Sequence, residues 1–150
     1  MLKIVKTTAY SDMKMGTAGL RKKSKIVLQE NYLENFVQSV FNAIGGVEGL
    51  TFILGGDGRF YNKVAIQKII KMAAANGMKK IIVGQNGFIS TPASSHVLLM
   101  NKADGGFVLS ASHNPGGVNG DFGIKYAVAS GGQCPTSISD KIYEISKTIN

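Results

Sequence analysis

Short apolar runs and longer segments with helical periodicity alternate along this chain. Four runs have the length of strands: residues 50–54 are apolar and β-branched like a buried strand, and residues 122–128 alternate between apolar and polar positions. The predicted strands cover residues 50–54, 79–84, 107–111 and 122–128. The glycines punctuate these segments rather than forming a tract of their own, so they indicate turns and loops in a folded domain.

Four longer segments place apolar side chains three and four positions apart, which is the spacing of an amphipathic helix. The predicted helices cover residues 31–44, 62–76, 90–101 and 137–149. Asn62 is a candidate N-cap of the second helix, and Asn76-Gly77 is a stop signal for it. Ser90 or Thr91 followed by Pro92 indicates the start of the third, because proline at the first helical position gives up no needed N–H group.

The alternation of strands and helices predicts βαβ units. We therefore expect an α/β fold: a three-layer α/β/α sandwich with a mostly parallel, mixed sheet in a single domain. In sheets of this kind, ligands bind where strands end at their carboxyl side, because loops and helix N-termini present free N–H groups there. The glycine-rich loops that follow the predicted strands are thus the expected place for chemistry.

Composition narrows the class of protein. The chain has 150 residues, of which 44% are hydrophobic, and a formal net charge of +8, which favours an anionic partner. The densest basic run, residues 21–25, has no interleaved aromatic side chains of the kind that single-stranded nucleic acid needs. We therefore expect no nucleic-acid partner, although a basic nucleic-acid module remains one hypothesis.

Membrane and secretory signals are not found in the sequence. It has no apolar run of eighteen residues and no signal-peptide pattern at its start. Its single cysteine, Cys134, has no partner for an internal disulfide, which agrees with a reducing compartment. These features predict a cytoplasmic protein without a membrane partner.

The segment SASHNPGGVNGDFGIKY, residues 110–126, carries the most informative chemistry. It places a serine hydroxyl, Ser112, in an irregular loop that follows a predicted buried strand. Serine is a weak nucleophile unless a base takes its proton or a cation stabilises the oxyanion, and His113 and Lys125 are the local candidates for these tasks. Taken alone, the segment is better explained as a simple turn with a structural loop histidine than as a catalytic loop.

The run ASHNPGG, followed by NGDFGIKY, resembles the phosphoserine loop of the phosphoglucomutase branch of the α-D-phosphohexomutase superfamily. The resemblance implies that Ser112 is phosphorylated and exchanges its phosphoryl group with a hexose phosphate through glucose 1,6-bisphosphate. It implies catalytic roles for Ser112, His113 and Lys125. It also implies phosphate binding by Arg21, Asn114, Lys125 and Ser112 itself.

Other segments resemble the same family in the same order, so the likeness covers essentially all 150 residues. These segments are TAYSDMKMGTAGLRKK, GGDGRFYNK, AAANG, GQNGFISTPA, and GGQCP through DKIYEISKTI. The family's arginine in the first of them, here Arg21, points toward the phosphoserine and helps to neutralise it. Two positions depart from the family pattern: Ala18 stands where serine is usual and Ser110 where threonine is usual.

The resemblance further implies a Mg²⁺ ion that takes one ligand from the phosphate of Ser112 and the others from an aspartate-rich loop in another domain. This sequence has no DxDxD-like segment, and Asp57 and Asp121 are better explained as turn carboxylates. Arg59 could approach a phosphate or brace its own loop. We therefore expect residues 1–150 to be domain I, the catalytic-serine domain, of a longer enzyme and to be inactive alone.

The resemblance indicates an intramolecular phosphotransferase that interconverts glucose 1-phosphate and glucose 6-phosphate. Its expected partners are hexose phosphates and the remaining domains of the enzyme. Two alternatives stay open: a phosphomannomutase-type enzyme, and a catalytically silent relative that serves as an interaction protein. The sugar-reading segments that would separate glucose from mannose are not found in this sequence.

Overall fold

The structure is a computed structural model, and it describes residues 2–150. Within this range the chain forms five strands and five helices. In chain order they are β1 (Leu20–Lys23), α1 (Ser24–Val27), α2 (Tyr32–Ala43), β2 (Thr51–Gly56), α3 (Asn62–Ala75), β3 (Lys80–Phe88), α4 (Thr91–Met100), β4 (Gly105–Leu109), β5 (Asp121–Val128) and α5 (Thr136–Ser146).

The five strands form one mixed sheet in the order β1-β5-β4-β2-β3. Strand β2 runs parallel to both β3 and β4. Along the chain, helix α3 connects β2 to β3, and helix α4 connects β3 to β4. Strand β5 is antiparallel to both of its neighbours, β4 and β1. A loop rather than a helix joins β4 to β5, which is the connection that an antiparallel pair permits.

Alternating side chains of the central strands divide the core into two layers. Phe52, Leu54 and Phe107 contribute to the larger hydrophobic cluster, which also contains the buried faces of α2, α3 and α5. Ile53 and Val108 point the other way and pack with Leu98 of α4. Since helices cover both faces of the sheet, the predicted three-layer α/β/α sandwich with a mixed sheet is confirmed.

All eight predicted elements exist, with shifted boundaries. The helix predicted over residues 31–44 is Tyr32–Ala43, and the strand predicted over 79–84 extends through Phe88. The helix that follows β3 begins after Ser90, whose hydroxyl accepts a hydrogen bond from the N–H of Ala93 at 3.3 Å. Asn62 is not an N-cap; it is the first helical residue, and its buried amide donates to the carbonyl of Leu109 at 3.0 Å.

Two elements were not predicted, namely β1 and the single-turn helix α1. They place Arg21 at the edge of the sheet and Ser24 against the segment between β4 and β5. Within the described part of the chain, no helix is both long and apolar enough to cross a membrane.

Candidate active site

The candidate nucleophile lies just past the end of β4, in the segment of residues 110–120 that we call the serine loop. The strand predicted over 107–111 ends at Leu109, so Ser110 and Ala111 already belong to this loop. Ser112 is exposed and has a left-handed backbone with φ of +54°, which is uncommon for a residue with a Cβ atom. Its N–H group donates to the hydroxyl of Ser110 at 3.0 Å.

Two cations meet at the Ser112 hydroxyl. Arg21 Nη2 donates to Ser112 Oγ at 2.9 Å, and Lys125 Nζ lies 3.4 Å from the same oxygen. Lys125 Nζ also lies 3.4 Å from Thr91 Oγ1, at the first turn of α4. The exposed hydroxyl therefore has two neighbouring groups that stabilise negative charge.

Strand register brings these residues together although they are far apart in sequence. Arg21 of β1 pairs with Gly123 of β5, two positions before Lys125, so both cations lie on one face of the sheet. Gly123 leaves room for the serine loop, because an added Cβ would lie 2.2 Å from the carbonyl oxygen of Ser110. The serine loop can thus pass directly over β5, which brings Ser112 close to both cations.

The pKa of Lys125 lies below the ordinary value of a lysine. Burial is the main cause, and the charges of Arg21 and Arg59 add to it, while Asp57 opposes the shift. Positive charges crowded together in a partly desolvated site favour the neutral amine. An anion such as a phosphoryl group at this position would relieve that repulsion, so the site is electrostatically suited to one.

The remaining predicted site residues, His113 and Asn114, lie in the loop but turn to other neighbours or to solvent. His113 is exposed, and its ring makes no hydrogen bond to any residue in the range 2–150. Asn114 directs its amide away from Ser112 and donates to Asp121 Oδ2 at 2.8 Å. Their roles toward a ligand stay predictions, since catalytic contacts often form only in the complex with substrate.

Arg59 braces the serine loop. Its guanidinium pairs with Asp57 and donates to three backbone carbonyls: those of Ser112, Asn114 and Asp121. Although burial alone would raise the pKa of Asp57, hydrogen bonds from Arg59 and Ser110 and the charge of Arg59 lower it. The sequence analysis left open whether the Arg59 side chain points to a phosphate or to its own loop. Its partners are backbone carbonyls, which every residue has, so no sequence pattern identifies them.

Asp121 holds the far end of the same loop. Its carboxylate forms an ion pair with Lys23 at 2.8 Å and accepts from Asn114. The hydrogen bond from Lys23 is the main reason that the pKa of Asp121 lies below its ordinary value. The interpretation of Asp57 and Asp121 as structural carboxylates agrees with these contacts.

The described residues do not form a magnesium site by themselves. No group of three His, Cys, Asp or Glu side chains in residues 2–150 is placed to hold a metal ion. The two carboxylates near Ser112 are already paired, Asp57 with Arg59 and Asp121 with Lys23. Thr91 contacts Lys125 in the site, but the sequence analysis named it only as a helix start and not as a site residue. Its position at the start of a helix that follows a parallel strand could have indicated a place in the site.

Comparisons with known proteins agree with this fold. Residues 12–150 match the family described as phosphoglucomutase/phosphomannomutase, alpha/beta/alpha domain I. Over 150 residues the chain is 59% identical to a phosphoglucomutase of Rhizobium radiobacter, covering 100% of this chain and 28% of the relative. It is also 56% identical over 153 residues to a cytoplasmic phosphoglucomutase of Populus tremula, covering 97% of this chain and 26% of that protein.

A solved structure with a similar fold is parafusin, a phosphoglucomutase from Paramecium, in an open form. It superposes with a TM-score of 0.94 at 45% sequence identity, over 97% of this chain and 27% of that one. The chain thus spans little more than a quarter of the length of the relatives it matches. On the match over residues 12–150, the chain belongs to the phosphoglucomutase/phosphomannomutase family, to its alpha/beta/alpha domain I.

Proposed function

We propose that residues 1–150 form the phosphoserine-bearing domain of a phosphoglucomutase that interconverts glucose 1-phosphate and glucose 6-phosphate. The observation that carries the proposal is the Ser112 hydroxyl, 2.9 Å from Arg21 and 3.4 Å from Lys125, in a family member whose named relatives are phosphoglucomutases. Because the chain covers only 28% of a relative's length, sugar selection is assigned to further domains.

The reaction begins with a phosphoryl group on Ser112. The free hydroxyl of the bound sugar attacks the phosphorus atom in line, and the bond from phosphorus to Ser112 Oγ breaks. The products are glucose 1,6-bisphosphate and a serine whose oxygen takes up a proton. Transfer of the other phosphoryl group from the bisphosphate to Ser112 completes the isomerisation and restores the phosphoserine.

Arg21 and Lys125 stabilise this transfer. Arg21 Nη2 lies 2.9 Å from Ser112 Oγ, so its guanidinium is placed to neutralise the phosphoryl oxygens. Lys125 Nζ lies 3.4 Å from Ser112 Oγ, so it is placed to give a proton to the departing serine oxygen. His113 lies one residue from Ser112 and is the second proposed group for proton transfer, once the sugar is bound.

Family membership supports a proposal for the cofactors and partners. Members of this family depend on a metal, and we infer that Mg²⁺ takes one ligand from the phosphate of Ser112 and the others from a further domain, with glucose 1,6-bisphosphate as activator. Hexose phosphates and the remaining domains are the proposed partners, without nucleic acid or membrane. The cytoplasmic relative in Populus tremula supports a cytoplasmic location.

The test is Ser112→Ala in the longer polypeptide that carries these residues, assayed with glucose 1-phosphate and, separately, mannose 1-phosphate. We expect activity on glucose 1-phosphate that falls by at least about a thousandfold on substitution, as loss of a nucleophile does. Ser137→Ala, an exposed serine at the start of α5, is the matched control and keeps full activity. Higher activity on mannose 1-phosphate would favour a phosphomannomutase, and inactivity of the unsubstituted protein would favour the silent relative.

A further inference from the structure

We propose that Arg59 is a positioning residue that holds Ser112 in its reactive conformation and does not itself bind the phosphoryl group. Two features of Arg59 carry this inference: all of its donors are occupied, and its side chain is only 8% exposed. The functional part of the inference rests on the proposed phosphoglucomutase activity, whereas the conformational part does not.

The donors of Arg59 are all directed to groups of the protein. A guanidinium has five N–H groups. Nε donates to the Asp57 carboxylate oxygens at 3.1 and 2.9 Å, and Nη2 lies 2.9 Å from Oδ2 of the same residue. Nη1 donates to the carbonyls of Asn114 at 3.3 Å and Asp121 at 2.8 Å, and Nη2 donates to that of Ser112 at 3.2 Å. No N–H group of Arg59 is left over for a phosphate.

Ser112 is held on both sides of its Cα atom. Its carbonyl accepts from Arg59, and its N–H donates to the Ser110 hydroxyl, which also hydrogen-bonds to Asp57. Asp57 therefore links the two restraints, because it binds both Arg59 and Ser110. A left-handed backbone at a residue with a Cβ atom costs energy and persists only where the surroundings fix it.

The charges of the two arginines, Arg21 and Arg59, have different partners. The Arg59 charge is neutralised by Asp57 at 2.9 Å, while Arg21 donates to the reacting oxygen itself. The chain has arginine only at these two positions. A lysine at position 59 would keep the charge, but its three donors could not reach Asp57 and three carbonyls together.

The first experiment measures amide hydrogen exchange in the 150-residue chain and needs no activity. The amides of Asn114 and Asp121 donate hydrogen bonds to carbonyls of the serine loop. In Arg59→Gln we expect the exchange rates of these two amides to rise about tenfold or more. The exchange rate of the Val108 amide, in the sheet, should stay unchanged. Lys63→Gln removes the same charge from an exposed site on α3 and leaves all of these rates unchanged. Unchanged loop exchange in Arg59→Gln overturns the proposal.

A second variant covers the case in which Arg59→Gln fails to fold. Ser110→Ala removes the acceptor of the Ser112 N–H with a small change in volume. We expect its Ser112 amide to exchange about tenfold faster at an unchanged urea midpoint. Exchange equal to that of the unsubstituted chain overturns the proposal.

The kinetic experiment uses the longer polypeptide and separates positioning from binding. Arg59→Lys should lower kcat about tenfold or more and leave KM for glucose 1-phosphate within about threefold, because the residue acts only through the geometry of Ser112. A raised KM with unchanged kcat would mean that Arg59 contacts the substrate and would overturn the inference. If the unsubstituted polypeptide has no mutase activity, the proposed function fails, and the exchange experiments still decide whether Arg59 holds the loop.

Discussion

Gly120 is the position where a single methyl group tests the geometry of the serine loop. In Gly120→Ala the added Cβ would lie 2.3 Å from the carbonyl oxygen of Gly116 and 2.4 Å from that of Pro115. Both atoms belong to the backbone, so no side-chain rotation relieves the overlap. The loop must open by about an ångström to reach an ordinary van der Waals contact.

The cost of that opening can be estimated from the contacts around Gly120. Overpacking in a tightly packed site costs about 1–3 kcal/mol. The shift also strains two hydrogen bonds that anchor the loop, from Ser24 N–H to the Gly120 carbonyl at 2.9 Å and from Asp121 N–H to the Pro115 carbonyl at 2.8 Å. A net hydrogen bond contributes about 1 kcal/mol, so we expect a loss of about 2–4 kcal/mol in the free energy of unfolding.

Urea unfolding of the 150-residue chain, followed by circular dichroism, measures this loss. The matched control is Gly116→Ala in the same loop, where the nearest atom to the added Cβ is Arg59 Cβ at an ordinary 3.6 Å and φ is not positive. We expect this control to remain within about 0.5 kcal/mol of the unsubstituted chain. Equal stability of the two variants would refute the close approach of Gly120 to the turn at residues 115–116.

Three further predictions concern charge, thiol chemistry and domain organisation. The pKa of Lys125 is lower in the folded chain than in the unfolded chain. At pH values between these two pKa values the unfolded chain binds more protons, so the stability contributed by this residue rises with pH there. Phosphorylation of Ser112 should raise the pKa of Lys125, which NMR of labelled lysine measures. Burial raises the pKa of the Cys134 thiol to about 11. Alkylation of this thiol by iodoacetamide at neutral pH, followed by mass spectrometry, should therefore be about a hundredfold slower than alkylation of a cysteine in a peptide. The 150-residue chain alone should unfold cooperatively yet show no mutase activity in a coupled assay, and full activity would disprove the need for further domains.

The sequence predicted elements whose stability comes from their own apolar pattern. Helix α2 has a continuous buried face that includes Phe36, Val37 and Val40, and its predicted range differs from the structure by one residue at each end. Strand β1 was missed because its sequence LRKK has only one buried side chain and no periodicity. It exists because β5, a hundred residues later, supplies its hydrogen bonds, and no local pattern contains that information.

The candidate site shows the same limit. The serine loop was singled out from its residues and its family resemblance, and in the structure Arg21 Nη2 lies 2.9 Å from Ser112 Oγ although the two residues are 91 positions apart. Spacing alone could not pair them, because their proximity depends on the register between β1 and β5. The direction of the Arg59 side chain was equally out of reach, since its partners are carbonyl groups that every residue has.

The most direct test of the whole account is the phosphorylation state of Ser112. The longer polypeptide is incubated with glucose 1,6-bisphosphate, and its peptides are analysed by mass spectrometry before and after excess glucose 1-phosphate is added. We predict one phosphoryl group, on Ser112, that is lost to the sugar and recovered as glucose 1,6-bisphosphate. Isomerisation of glucose 1-phosphate while Ser112 stays unmodified would contradict the account.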